Sequence, residues 1–264
     1  MSARGNLVSV CVGDHFCFGR GDARLDSAEG ARRRIRAWRR ELGGEALLWR
    51  EVHTLATEFR YSVPRGRMRP VFPGLGWDDL DLVPELAHEE GMRAYLYVSL
   101  YDEGWRLPRA GERERSYHSE GPGRYLAWQS EFSRRHPEYA VSDRSGRRRQ
   151  WGVLCLAYPQ VRAHFRRRIE RLLKNRAWDG FFVCLRSQSR PADHADQFGY
   201  NEAVMKEYRR KHGDRFELRR WRDLLGESLT GLLRELRAIV PRLAVGVPRG
   251  DILGARRGNG SSRC

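Results

Sequence analysis

"LVSVCVGDHFCFGRG", residues 7–21, decides between two parallel α/β architectures. Leu7 to Val12 is a short, apolar, β-branched run that ends in Gly13, Asp14 and His15, the pattern of a buried strand followed by a loop. In a doubly wound sheet that binds a dinucleotide, the loop after the first strand carries G-x-G-x-x-G. The segment "GDHFCFGRG" lacks that spacing, and no P-loop occurs elsewhere. Polar residues clustered at a strand's C-terminal end instead suit a (β/α)8 barrel, whose sites are built there.

Working outward, strand and helix patterns alternate. Asp26 or Ser27 can cap a helix with Glu29 in its first turn, and Ala31, Ile35, Trp38 and Leu42 recur at helical spacing before Gly43-Gly44 stops it. "ALLWREV" (46–52) predicts a second strand. Leu82, Val83, Pro84, Leu86 and Ala87 mark a second helix ending near Gly91, and "MRAYLYVSL" (92–100) a third strand. A Gly-, Arg- and aromatic-rich insert follows at 101–158, too long for a plain connection. Pro159 then starts an amphipathic helix with Val161, Phe165, Ile169, Leu172 and Leu173 inward and an Arg-dense face expected in solvent. "FFVCL" (181–185) is the fourth strand, helical segments lie around Glu202–His212 and Trp221–Val240, and "RLAVGV" (242–247) is the fifth.

The expected fold is therefore α/β of the (β/α)8 TIM-barrel type, incomplete, with about five β/α units in residues 1–254 and a disordered tail at 255–264. Such barrels typically need about 250 residues or more, and no sixth to eighth strand follows "GARRGNGSSRC" in this 264-residue chain. The pattern suits a truncation or frame change after the fifth strand. Unpaired strand edges would then favour self-association.

Composition narrows the classes. With 40% hydrophobic residues and 8 Trp the chain can bury a core, while its apolar runs stay under ten residues, far below the ~20 that cross a bilayer. The net charge is +16, yet only Lys174, Lys206 and Lys211 are lysines among 50 basic residues. Such an arginine skew reads as a compositional bias spread over solvated faces. Nucleic-acid binding is the less favoured reading and requires Arg32–Arg40, Arg147–Arg149 and Arg166–Arg171 to merge into one stripe. The five cysteines form no CxxC; Cys11, Cys155 and Cys184 sit in apolar runs and read as core thiols of a reducing compartment. "MSARGNLVSV" lacks a signal-peptide core, so a cytoplasmic location is expected, with secretion of a longer form left open. His15, His53 and His118 are scattered without H-E-x-x-H, so no metal or other cofactor is expected, and no G-x-S-x-G elbow is present.

An ordered set of short motifs adds a resemblance. Ala157-Tyr158-Pro159-Gln160-Val161-Arg162 opens the helix before Asp179-Gly180, and Gly199-Tyr200-Asn201-Glu202 starts a later helix. These pieces resemble the bacterial glycosyl hydrolase-like family 10 group, and the strand and helix order agrees over roughly residues 5–254. The resemblance implies a (β/α)8 barrel hydrolysing O-glycosyl bonds of a poly- or oligosaccharide. Many relatives carry an acid near the end of the strand after "D-G"; here Val183-Cys184-Leu185-Arg186 stands in its place.

Under that reading two carboxyl groups about 5 to 9.5 Å apart should flank the scissile bond. Asp102 and Glu103 follow the third strand, Asp251 follows the fifth, and Glu202 follows Asn201; each also has a plain reading as an exposed loop acid or, for Glu202, a first-turn residue facing the helix dipole. Arg50, Arg186 and Arg249 end predicted strands and can grip an acidic sugar group, or else pair with Asp14, Asp102 or Asp251. Gln188 and Asp14 complete the polar strand-end set, and His15 is either a base or a hydrogen-bonded loop histidine. Trp105, Trp128, Trp151 and Tyr200 offer flat faces for pyranose rings, or core packing. A noncatalytic sugar-binding remnant is the alternative to an active hydrolase.

Overall fold

The computed structural model describes residues 5–11, 15, 24–63, 67–70, 75–104, 128–185, 192, 194–240 and 242–246. In chain order the elements are β1 (Asn6–Val10), α1 (Ala28–Leu42), β2 (Gly44–Arg50), α2 (His53–Thr57), β3 (Phe59–Val63), β4 (Arg67–Pro70), α3 (Asp79–Glu89) and β5 (Arg93–Ser99). They continue with β6 (Trp128–Ser130), α4 (Glu131–Arg135), a 3₁₀ turn (Pro137–Tyr139), β7 (Ala140–Ser142), β8 (Arg149–Leu154), α5 (Pro159–Leu173), β9 (Gly180–Cys184), α6 (Glu202–His212), α7 (Leu218–Ile239) and β10 (Leu243–Gly246). The five expected strands are β1, β2, β5, β9 and β10, within a residue or two of their expected bounds.

These five form one sheet in the order β1-β2-β5-β9-β10, with every pair parallel. Each new strand is added on the same side of the last. A doubly wound sheet reverses at a switch point, whereas a barrel advances in one direction, so the order identifies an incomplete TIM-barrel-type arrangement. Among the described residues β1 and β10 are the sheet's edges.

One face of the sheet carries the main core. Val8, Val10, Leu47, Trp49, Ala94, Leu96, Val98, Phe181 and Val183 alternate toward Ala31 and Ile35 of α1, Leu80, Val83 and Leu86 of α3, Phe165 and Ile169 of α5, and Leu232 and Leu236 of α7. Local chemistry sets the helix ends. The Ser27 hydroxyl accepts from Gly30 N at 3.1 Å, Gly43 closes α1 with φ +59°, and Pro159 sits in the first turn of α5, where its missing N–H costs no bond. Leu42, expected on the inward stripe, is instead 52% exposed because α1 ends there and turns away.

The opposite face follows from the register. Arg50 pairs with Tyr97, Tyr97 with Phe182 and Phe182 with Ala244, so one cross-strand row looks away from the helices; Ser99, Cys184 and Gly246 form the next row toward the strands' C-terminal ends. Gly180 is required at the bottom of this face. A Cβ there would lie 2.5 Å from Tyr95 Cε1 and 2.8 Å from the Arg242 carbonyl oxygen, so the "D-G" glycine lets β9 lie against its neighbours. Asp179 beside it accepts from Ala94 N at 2.8 Å and lies 2.7 Å from His88 Nε2.

Part of the long insert is regular. β6 joins a β3–β4 hairpin in an antiparallel sheet, and β7 pairs antiparallel with β8. Asn201 anchors β7 to the start of α6: its Oδ1 accepts from Ser142 N at 3.1 Å and its Nδ2 donates to the carbonyls of Ala140 and Glu138 at 3.0 and 3.2 Å. Around this hairpin, α6 and α7 lies a second apolar cluster of Val141, Cys155, Val204, Tyr208, Trp221 and Leu224. The tail at 255–264 lies outside the described residues.

The arginines expected on a solvated face of α5 need one correction. Arg168 is 3% exposed, because it falls on the same stripe as Phe165, Ile169 and Leu172. Other arginines are matched by acids: Arg33 with Glu29, Arg32 with Glu29 and Glu89, Arg36 with Glu90, and Arg162 with Glu235. Among the described residues no helix is long and apolar enough to cross a membrane.

Candidate active site

The face of the sheet turned away from α1, α3, α5 and α7 gathers its polar residues where β2, β5 and β9 end. Arg50 is the last residue of β2, and its guanidinium lies 5.3 Å from the Tyr97 ring centroid. Tyr97 meets Phe182 edge-on at 5.1 Å. Burial, followed by the neighbouring Cys184, pushes the Tyr97 phenol up to about 12, so it remains a neutral donor at physiological pH. Asp102 closes the cluster from the turn after β5, with Oδ2 3.6 Å from Arg50 Nη2, and both side chains are buried.

The neighbouring acid has a different environment. Glu103 is fully buried, and its carboxylate receives Arg168 Nη1 at 2.6 Å and Nη2 at 3.3 Å. Burial opposes its charge, but the Arg168 guanidinium and the Ser130 side chain outweigh burial and hold the carboxyl below its usual range. The backbone is fixed as firmly: Glu103 N donates to the Gly152 carbonyl and Ser130 N to the Glu103 carbonyl, each at 3.0 Å. Arg168 reaches Glu58 at 3.0 Å, and Glu58 also pairs with Arg171. Two adjacent acids thus differ. The Glu103 contact has the short, forked geometry of a charge-assisted pair, while Arg50–Asp102 at 3.6 Å is looser than the roughly 2.7–2.9 Å of a direct charged hydrogen bond.

His15 Nε2 lies 3.0 Å from the Arg50 carbonyl oxygen, to which it donates, and its ring meets Trp49 edge-on at 4.8 Å. Trp49 in turn donates its indole N–H to Asp79 Oδ2 at 2.8 Å. The buried Glu51 accepts from Thr54 N and Thr54 Oγ1, both at 2.5 Å, and so starts α2.

The other expected site residues lie elsewhere. Tyr200 stacks on Trp221 at 4.5 Å and 15° and packs with the second apolar cluster. Glu202 is exposed in the first turn of α6. Asp14, Trp105, Arg186, Gln188, Arg249 and Asp251 lie outside the described residues. Tyr97 and Ser99 were not singled out from the sequence, although the signal was present: with Ala94, Leu96 and Val98 facing helices, a period of two turns them to the other face. Of the three thiols expected in the core only Cys155 is buried; Cys11 and Cys184 are half-buried, Cys184 because it falls in the row of Ser99 and Gly246.

No protein-family model and no curated protein matches the chain. Solved structures do. An α-L-fucosidase isoenzyme 2 from Paenibacillus thiaminolyticus superposes with a TM-score of 0.52 at 14% identity, over 94% of this chain and 33% of the fucosidase. An exo-β-N-acetylglucosaminidase from Vibrio harveyi, solved with N-acetylglucosamine, gives 0.50 at 12% identity, over 92% of this chain and 35% of the enzyme. The chain thus spans about a third of the length of these structures. Its fold is that of part of a TIM-barrel-type structure, similar to a portion of these two glycoside hydrolases. At these identities the likeness concerns the fold alone.

Proposed function

We propose that the chain is a carbohydrate-active barrel of the glycosyl hydrolase-like family 10 kind, with its saccharide on the face turned away from α1, α3, α5 and α7, at the strands' C-terminal ends. The observation carrying this reading is the buried Arg50–Asp102 pair beside the Tyr97 and Phe182 rings. Aromatic faces suit the apolar side of a pyranose, and the polar pair suits its hydroxyls. Asp102 is the acid we assign to catalysis. It lies just after β5 beside Arg50 and the aromatic rings, and Asp251, after β10 in sequence, is the proposed second carboxyl. Glu103 is assigned to holding the β5 turn and Glu202 to the α6 terminus. His15 is assigned to bonding the Arg50 carbonyl at the end of β2.

The test is hydrolysis of 4-nitrophenyl glycosides of α-L-fucose, α-galactose and β-N-acetylglucosamine, with calorimetric titration of the matching oligosaccharides. Turnover that disappears in Asp102→Asn supports the hydrolase. Binding without turnover, lost in Arg50→Met, supports the noncatalytic sugar-binding reading. Neither turnover nor binding by the wild-type chain rejects both.

A further inference from the structure

The groove between α4 and α5 lies outside the sheet face just described. It is a surface groove of about 440 Å³, open to solvent, within the roughly 300–1,000 Å³ range of small-molecule sites. One wall is aromatic. Phe132 and Tyr139 stack with centroids 5.8 Å apart at 26°, and His136 lies over Tyr139 at 5.2 Å and 23°. Behind Phe132 the His164 ring lies nearly parallel at 3.8 Å. Burial, helped by the Arg168 charge, lowers His164 to about 3, so this backing ring is neutral.

The facing wall is one stripe of α5, formed by Gln160, Ala163 and Arg167 at helical spacing. Its charge is unbalanced. Of the five arginines in α5, Arg162, Arg166, Arg168 and Arg171 pair with Glu235, Glu170, Glu103 and Glu58, whereas Arg167 has no carboxylate partner among the described residues. On the aromatic side, His136 Nδ1 lies 3.2 Å from Glu138 Oε1. The groove therefore joins ring faces, an unmatched guanidinium and a side-chain amide around the small Ala163.

We propose that this groove is a second saccharide site, selective for a hexuronate unit. A pyranose lays its C–H face on Phe132 and Tyr139, its carboxylate pairs with Arg167, and a hydroxyl meets the Gln160 amide. The Arg50–Asp102 cluster carries its own counter-ion, so an acidic sugar is preferred in the groove over the barrel mouth.

The experiment titrates tetragalacturonate, with maltotetraose as the neutral comparator, into the wild-type chain and the variants Arg167→Glu, Arg167→Gln, Ala163→Trp and Arg50→Met. Arg167 is exposed and Ala163 half-buried, so these changes leave the core intact, checked by circular dichroism. The expected result is at least tenfold preference for the acidic tetrasaccharide, at least tenfold weakening by Arg167→Glu, a smaller loss in Arg167→Gln, loss of binding in Ala163→Trp, and unchanged affinity in Arg50→Met. Absence of saturable binding, equal affinity for both sugars, or binding unaffected by Ala163→Trp overturns the proposal. Weakening by Arg50→Met with none by Arg167→Glu also overturns it and moves the acidic sugar to the mouth. Failure of hydrolysis with groove binding intact rejects only the mouth reading.

Discussion

Removing the charge of Glu103 should unfold much of what positions the candidate site. The Glu103→Gln change keeps the side chain's shape and one acceptor but leaves the fully buried Arg168 guanidinium without its forked partner at 2.6 and 3.3 Å. Breaking a buried pair by removing one member costs about 3–5 kcal/mol, because the remaining charge stays desolvated. Arg168 retains Glu58 at 3.0 Å, a partner 22% exposed, so the loss should fall near the lower figure, about 3 kcal/mol. Against a typical stability of about 5–15 kcal/mol, that is a large fraction.

Urea unfolding at pH 7, followed by tryptophan fluorescence, measures it. Arg168→Met should cost at least as much, since it strands the buried Glu103 carboxylate and removes one of the two guanidinium partners of Glu58. The double variant Glu103→Gln/Arg168→Met should be less damaged than the sum of the two by about 2 kcal/mol, the signature of direct coupling. The pH dependence has a fixed sign: a carboxyl whose pKa is lowered by folding contributes fully above its unfolded value near 4.3, and the contribution is lost as pH falls through and below it. A Glu103→Gln variant within about 1 kcal/mol of wild type, or additive single effects, would refute the structural role and return Glu103 to the catalytic candidates.

Three further outcomes are expected. Gly180→Ala should destabilise by about 1–3 kcal/mol in the same urea assay, because its Cβ would lie 2.8 Å from the Arg242 carbonyl, which cannot rotate away; no loss means the strands give more easily than the packing implies. Asp79, which burial pushes up to about 7, binds a proton in the native chain that the unfolded chain has released above about 3.9, so stability should fall as pH rises across that window. Asp79→Asn still accepts from the Trp49 indole, and it should flatten that slope and raise stability at pH 8 by roughly 1–3 kcal/mol; an unchanged slope by urea midpoints assigns the window to another group. Leu7 on β1 and Val245 on β10 are 67% and 40% exposed at the sheet's two edges, so sedimentation should show self-association that Leu7→Lys reduces, and a strictly monomeric wild type removes that expectation.

The five parallel strands were readable in the sequence because a strand buried on both faces is written as a nearly continuous apolar run: in "ALLWREV" and "RAYLYVSL" such runs are too short for a helix of ordinary length and are bounded by glycine or polar residues. The small antiparallel strands were not. "FRYSV" and "RMRP" are short and carry arginines in place of an apolar alternation, and β6 has three residues, so the place of β6 is set by the Glu58–Glu131 and Glu103–Ser130 backbone bonds rather than by pattern. Arg168 is an intermediate case. Its inward position was encoded in the spacing with Val161, Phe165, Ile169 and Leu172, but three consecutive arginines at 166–168 read as one solvated run unless an acid is known to wait opposite.

That opposite acid clarifies the candidate site itself. Asp102 and Glu103 are neighbours in sequence and both are buried, yet the chain gives one a tight forked guanidinium and the other a guanidinium at 3.6 Å beside two aromatic rings. A carboxylate held at two short contacts cannot accept a ligand hydroxyl without stranding its cation in the core. The looser pair is the one to which the proposed sugar-binding role falls, because Arg50 also keeps the face of Tyr97. The tight pair fixes the turn after β5, and the fixed turn holds the loose pair at the mouth. The structural acid and the proposed catalytic acid are thus successive residues with divided roles, which composition and spacing had left interchangeable.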